Sequence, residues 1–295
     1  MSDTLHRFQL ENLHVRGEWV SLHEAWQQIQ KTANYPPPVR QVLGEALVAI
    51  SLLANSLKFN GSMVMQIRGT YPLSMLVVQA TSDGAIRGLV TWDGEIADDA
   101  SFRDLFGEAV GTMVISVEPK SHGERYQSLV SLEGNSLSEC LTQYFAQSEQ
   151  LNTRLWMAVD DQFAAGLMLQ SLPEEDFELQ SEGWNRATIL ADTVRDVELL
   201  ELGVQELLYR LYHEEDLRLY DAKAVRFECS CSQEKVENTI LTVGKDEAEL
   251  IIKERGNIEI ACDFCNTKYV LDSIDVARLF NPADITDMSG TGSVH

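Results

Sequence analysis

Two hydrophobic periods divide the chain. Phe8, Leu10, Val15, Val20 and Leu22 give the first segment the character of strands. His23 to Thr32 reads as a short helix, stopped by Tyr35-Pro36-Pro37-Pro38. Pro38 is suited to open the next helix at its first position, where the missing N–H has no intrahelical partner to lose. Val42, Leu43, Ala46, Leu47, Ile50, Leu53, Ala54 and Leu57 then form a wide apolar stripe that ends near Asn60-Gly61. Strand-like runs return at Ser62 to Arg68 and Ser74 to Ala80. The Asp83-Gly84 turn predicts that the second pairs with Ile86 to Trp92. Thr112 to Val117 and Arg125 to Leu132 predict another hairpin. Ser136 and Glu139 make a capping box for a helix running to about Glu149. Cys140 lies on its apolar face with Leu137, Leu141, Tyr144 and Phe145 and reads as a buried, inert thiol. Leu155 to Val159 and Ala164 to Leu169 predict a last hairpin. Residues 1–175 thus predict an α+β core domain that mixes sheets and helices.

The pattern changes over residues 176–228. Trp184, Ala187, Ala191 and Val194 share one helical face. Val204, Leu207, Leu208 and Leu211 share another after a break at Gly203, and Leu217 to Phe227 looks extended. Short amphipathic helices are marginal alone and need a surface to lie on, so this stretch reads as a helical linker. Residues 229–295 predict a small third domain. It has helices over Ser232 to Thr242 and Asp246 to Arg255, strands at Ile258 to Ile260 and Lys268 to Leu271, and a final helix capped by Ser273. From about 281 the chain is polar, rich in glycine and serine, and reads as a disordered tail.

Charge narrows the function. The 295 residues carry 46 acids against 23 bases, a formal charge of −23. The last domain, with 12 acids and 6 bases, is itself acidic. This balance disfavours nucleic acid and anionic membranes and favours solubility. No apolar run approaches the length of a membrane span, and the N-terminus lacks the apolar core of a signal peptide. The expected compartment is the cytoplasm. There, clustered cysteines mean metal or redox chemistry more than a static disulfide framework.

Four of the five cysteines are clustered. Cys229 and Cys231 stand one residue apart, Cys262 and Cys265 two apart, and thirty residues separate the pairs. Four soft thiolates in two close pairs are what a tetrahedral zinc ion takes, at Zn–S distances of roughly 2.3 Å. A disulfide pair or plainly buried cysteines would be the bland alternatives. Four cysteine ligands leave no open position for a catalytic water. The chain also has no P-loop, dinucleotide fingerprint or His-Glu-x-x-His motif. Gly107 to Gly111 reads as a turn, and His213-Glu214-Glu215 as a solvated helix end. The sequence therefore predicts no catalytic residues. Its rival readings are an acidic zinc-ribbon regulatory protein that binds a protein partner and a thiol-dependent oxidoreductase.

With Cys-x-Cys and Cys-x-x-Cys near its C-terminal end, the chain resembles the heat-shock protein 33 family. Tyr144 to Leu151, Leu208 to Glu215, Gln66 to Gly69 and Ile86-Arg87-Gly88 carry the same resemblance. It implies a redox-regulated, ATP-independent holdase chaperone. In the reduced state, Cys229, Cys231, Cys262 and Cys265 would bind one zinc ion per chain. Oxidation would form Cys229–Cys231 and Cys262–Cys265 disulfides, release zinc, and unfold the zinc domain and linker. The exposed apolar surface would bind unfolding client proteins, commonly as a homodimer, and hand them to ATP-driven refolding chaperones. Many relatives have glycine after the second cysteine pair. Here it is Asn266, which tolerates the left-handed conformation better than most residues.

Overall fold

The computed structural model describes residues 3–106, 111–120, 125–174 and 176–281. The expected turn at Gly107 to Gly111 and the expected tail after Asn281 lie outside them, apart from Gly111. The chain forms two compact units, Met1–Glu228 and Cys229–His295, and residues 176–228 fall in the first.

Two antiparallel hairpins build one sheet of the first unit. β1 (Thr4–Leu10) pairs with β2 (Val15–Leu22), while β8 (Thr153–Val159) pairs with β9 (Ala164–Ser171). β2 joins β9. The second sheet is a run of antiparallel pairs among β3 (Gly61–Arg68), β4 (Leu73–Thr81), β5 (Ala85–Trp92), β6 (Thr112–Pro119) and β7 (Tyr126–Ser131). Its strand order is β5-β4-β3-β6-β7, so β7 is an outer edge. After α1 (Glu24–Gln30), helix α2 (Pro37–Ser56) starts one residue earlier than the sequence suggests, with Pro37 as its first residue. α2 contacts β2, β8 and β9 of one sheet and β3, β4 and β5 of the other. Leu43, Leu47 and Ile50 on it are fully buried.

One expectation is corrected here. By length and composition α2 is apolar enough to cross a membrane, although no such run was expected. Within the unit 78% of its most apolar window is buried, between two sheets, so it is a core helix. A helix hydrophobic all round is what such a position requires.

α3 (Phe102–Phe106) follows β5. α4 (Leu137–Tyr144) is capped as expected, with the Glu139 amide donating to Ser136 Oγ at 3.2 Å. The Glu139 carboxylate reaches back to the Asn135 amide at 2.8 Å. The helix then widens into a π turn, Phe145–Glu149, which Gln150 closes in the left-handed conformation.

The linker stretch lies on the far face of the first sheet. Because side chains alternate along a strand, Val20 and Leu22 of β2 face α2, while Val15 and Trp19 face away from it. That outer face receives α5 (Phe177–Ala191), α6 (Asp196–Glu201) and α7 (Val204–Tyr212). The sequence pattern suggested a pair of helices; α6 stands between them as a separate short one. Beyond α7 the chain threads along the sheets. β10 (Leu217–Leu219) and β11 (Lys223–Ala224) pair with β1, and β12 (Arg226–Phe227) pairs in parallel with β5.

The second unit is small. α8 (Gln233–Val243) and α9 (Lys245–Arg255) precede a hairpin of β13 (Ile258–Ala261) and β14 (Lys268–Leu271), and α10 (Ser273–Phe280) closes it. Its buried apolar side chains are Val236, Ile240, Ala248, Ile258, Leu271 and Val276. The cap of α10 is Asp272, one residue before the expected Ser273, and its carboxylate accepts from Ile274 N and Asp275 N.

Candidate metal centre

The two cysteine pairs sit where regular structure stops. Cys229 and Cys231 lie between Glu228 and Ser232, the residue that caps α8. Lys235 secures this loop, donating to Ser230 O at 2.5 Å and to Ser230 Oγ at 3.2 Å. Cys262 directly follows β13, and Cys265 sits in the turn before β14. That turn is closed by backbone bonds: Cys262 N to Thr267 O (3.0 Å), Cys265 N to Cys262 O (3.3 Å) and Asn266 N to Cys262 O (2.7 Å). Asn266 has φ 57°, the left-handed region where glycine or asparagine is favoured.

The fold brings all four thiols together. Their sulfurs lie within 4.8 Å of one another, and all four residues are half-buried and free of disulfides. The short separations cross the pairs, 3.6 Å for Cys229–Cys262 and 3.4 Å for Cys231–Cys265. A tetrahedron of sulfurs around zinc has edges of about 3.8 Å at the usual bond length, so the arrangement is close to one. A near-regular tetrahedron does not itself choose which sulfurs would pair on oxidation.

The donor set calls for a cation. Burial pushes the Cys229 thiol up to about 12, against the partial relief of a backbone hydrogen bond at Cys231. Burial also raises Cys262. It raises Cys265 too, but the hydroxyl and amide of Thr267, with the Cys231 and Cys229 thiols, outweigh it and bring Cys265 down to about 7. Cys265 Sγ and Thr267 Oγ1 are 3.2 Å apart. Four sulfurs this close do not ionise together without a counter-charge, and a divalent ion supplies it. Four thiolates with no carboxylate or histidine suit zinc in a closed site. Thr267 and Lys235 were not singled out from sequence. A hydroxyl two residues past a ligand and a lysine four past one have no periodic signature.

The other residues singled out from sequence lie elsewhere. Cys140 is fully buried in α4, and burial raises its thiol. His213 and Glu214 are exposed at the end of α7, as expected, but the Glu215 side chain is only 3% exposed and is held by Arg186 at 2.6 Å and by the Asn12 side-chain amide at 2.7 Å. The helical faces expected to dock do so. Ala187, Ala191, Leu207, Leu208 and Leu211 are buried against Phe8, Leu10, Trp19, Leu167 and Leu169. Gly183 of α5 makes this approach possible, since a Cβ there would lie 2.4 Å from Leu13 O. Polar pins add to it: Trp156 Nε1 and Arg154 both donate to Asp192, at 3.0 and 2.9 Å, and Tyr212 Oη donates to Ala187 O at 3.1 Å.

A buried carboxylate lies beneath the end of this stretch. Glu18 on β2 is 2% exposed; the Asn55 amide lies near its carboxylate without forming a well-aligned hydrogen bond, and Arg7 Nε stands 3.7 Å away. Burial pushes its carboxyl up to about 7, and Asn55, Arg7, Arg16 and Lys223 pull it back only partly. Lys223, on β11, donates to Ser82 O at 2.9 Å and lies 3.5 Å from Asn55 Oδ1.

Comparison with known proteins agrees with this architecture. A family model described as Hsp33 protein matches residues 3–272. The chain is 43% identical over 298 residues to the 33 kDa chaperonin of Aliivibrio salmonicida, covering 100% of this chain and 99% of that protein. It is 44% identical to the 33 kDa chaperonin of a Shewanella species, covering 95% and 96%. Among solved structures, the 33 kDa chaperonin (heat shock protein 33 homolog) of Thermotoga maritima superposes with a TM-score of 0.81. It does so at 23% identity over 97% of this chain and 100% of that one, a likeness of fold.

Proposed function

The chain belongs to the Hsp33 family, and on that premise we propose that it is a redox-regulated, ATP-independent holdase chaperone. The observation that carries the redox part is the placement of the thiol cluster. Four sulfurs within 4.8 Å tie the start of the unit to the turn between β13 and β14, in a unit whose described residues bury six apolar side chains. So small a core does not hold a domain without a staple.

In the reduced protein, Cys229, Cys231, Cys262 and Cys265 hold one zinc ion, which supplies the counter-charge that keeps them as thiolates. Thiolates are the form that peroxide-class oxidants attack. Each pair of thiolates gives up two electrons to one hydrogen peroxide, whose O–O bond breaks and whose oxygens take up two protons and leave as two water molecules, while one S–S bond forms. The pairs formed are Cys229–Cys231 and Cys262–Cys265, as the family resemblance implies. Four ligands are lost with them. The small unit then lacks its staple and unfolds.

Glu228 alone separates Cys229 from β12, whose two residues pair with β5. Unfolding therefore begins beside one of the two-residue strands of the linker. Peeling β12, β11 and β10 leaves α5 to α7, short helices that are marginal without the sheet beneath them. Their release uncovers Phe8, Trp19 and Leu167 together with the helices' own apolar faces. Such a patch binds unfolding chains, while the charge of −23 keeps the complexes in solution. Dimerisation of the activated form, transfer of clients to ATP-driven chaperones and a cytoplasmic setting complete the proposal. The protein has no catalytic residues in this account.

The test compares reduced, zinc-loaded protein with protein treated with peroxide at elevated temperature. The proposal expects zinc release, loss of helicity and suppression of a client's aggregation to appear together. Equal protection of the client by the reduced protein would overturn it.

A further inference from the structure

The outer edge of the second sheet is unusual among the sheet edges of the first unit. β7 reads Tyr-Gln-Ser-Leu-Val-Ser over Tyr126–Ser131 and contains no charge and no proline. The other edges each carry a cation: Arg154 on β8, Arg218 on β10, Lys223 on β11 and Arg226 on β12. Charged or proline-bearing edges resist pairing with foreign strands, and an edge without them invites it. Every second residue of an edge strand points its N–H and C=O outward, and among the described residues no strand pairs with β7 on that side. Leu129 is 72% exposed there.

A cavity opens beside the same edge. It measures about 460 Å³ and reaches Tyr126 and Ser128, with Leu57, Phe59, Val117 and Phe145 as apolar walls. Its volume falls in the range of ligand pockets, about 300–1,000 Å³. Three charged residues line it: Lys58 is exposed, while Glu149 and Arg16 are engaged. Glu149 accepts from Tyr144 Oη at 2.5 Å and from Tyr126 Oη at 3.2 Å, and Arg16 Nε donates to Gln170 Oε1 at 2.8 Å. The π turn at Phe145–Glu149 is what brings Glu149 back to those hydroxyls. The remaining space suits an apolar side chain.

We infer that β7 and this cavity form a second client-binding site, which takes an extended, apolar, neutral or basic segment of an unfolding protein as an added strand. A strand laid along β7 points alternate side chains to the face of Tyr126 and Ser128, over the cavity, so one element satisfies both features. The charge of −23 disfavours acidic segments. The inference rests on the chaperone reading but uses a surface distinct from the linker's. β7 does not depend on the thiols, so the site is open in the reduced protein too and holds a short segment weakly. Clients are retained when the linker surface adds a second contact to the same chain.

The probe is an octapeptide that alternates valine or phenylalanine with threonine and has a lysine at each end, titrated into reduced, zinc-loaded protein. Binding should slow hydrogen exchange at the β7 amides and be unchanged after oxidation. The same peptide N-methylated at alternate backbone positions should bind about tenfold more weakly, the loss of a few main-chain hydrogen bonds. The exposed double substitution Tyr126→Lys with Leu129→Lys should weaken binding by a similar factor. Equal binding of the N-methylated peptide, or protection confined to α5–α7, would overturn the inference. So would prior occupation of the edge by a second copy, seen as β7 amides protected in a dimer before peptide is added. Client-aggregation assays separate the two proposals. If oxidised wild type protects and the double variant protects equally, the edge site is wrong and the chaperone reading stands. If oxidised wild type does not protect, the chaperone reading itself fails.

Discussion

The two units of this chain reach stability by opposite routes. The first sandwiches a largely apolar helix, α2, between two sheets and buries Leu43, Leu47 and Ile50 completely. The second, among its described residues, buries six apolar side chains and gathers four thiols. One is held by area, which no small reagent removes. In the proposed account the other is held by zinc–thiolate bonds, which an oxidant or a chelator would remove. Between them in sequence lies a stretch with a mixed character: α5 to α7 are buried on one face, while Leu179, Ile189 and Tyr209 stay exposed on the other. The proposed redox switch would be served by this gradient, from permanent to conditional to removable.

The sharpest way to break the comparison is to take away the ligands. Cys262→Ser, or chelation of the zinc-loaded protein, removes a binding contribution on the order of 10–16 kcal/mol. Amide NMR should then show residues 229–281 collapsing to unfolded positions while α2 and β3–β6 keep theirs. Survival of native β13–β14 signals without metal would mean that the small core suffices.

Leu207→Ala addresses the conditional layer. Leu207 of α7 is fully buried, and its truncation should cost about 2–5 kcal/mol of docking. Limited proteolysis within 177–219 should accelerate in the reduced protein, and a lower dose of oxidant should activate it. Cleavage at wild-type rates would show that the helices are held by something other than this apolar face.

Glu18 sharpens the comparison from the other side, because it titrates in the unit that carries no thiol switch. Its carboxyl rises from 4.5 to about 7 on folding. The folded state therefore keeps a proton that the unfolded chain gives up. The stability this contributes is full below pH 4.5 and lost as pH rises through about 7. Between pH 5 and 8 the first unit should lose about 2–3 kcal/mol relative to Glu18→Gln. Urea unfolding of both proteins at the two pH values measures it, and parallel pH profiles would contradict it.

The smallest effect concerns the turn of the metal centre. Asn266 holds φ 57°, where glycine pays less strain. Asn266→Gly should tighten zinc binding by about 0.5–1 kcal/mol, read by competition with a chromogenic chelator. Weaker binding would show that the asparagine side chain contributes more than its backbone costs.

Much of this was legible in the chain. The stripe from Val42 to Leu57 announced α2, and alternation announced β3 to β7, since these are local periods that each element must satisfy. The four cysteines marked their own cluster. What local pattern did not reveal was how surfaces pair across the sequence. Phe8 read only as a strand residue until Tyr212 of α7 lay on it, with ring centroids 6.2 Å apart. α6 is two turns long, too short to separate from its neighbours. Thr267 matters through one hydroxyl, and Asp272 outcompetes Ser273 as a cap because Ser273 is already helical. The apolar length of α2 is equally compatible with a membrane and with two sheets, and only the sheets decide.

The most direct test of the central claim is hydrogen exchange, followed by mass spectrometry, on the zinc-loaded protein before and after oxidation. The account predicts that oxidation raises exchange in residues 229–281 and in α5, α6 and α7 together, while α2 stays protected throughout. Exchange confined to 229–281, with α5 to α7 as slow as before, would contradict it.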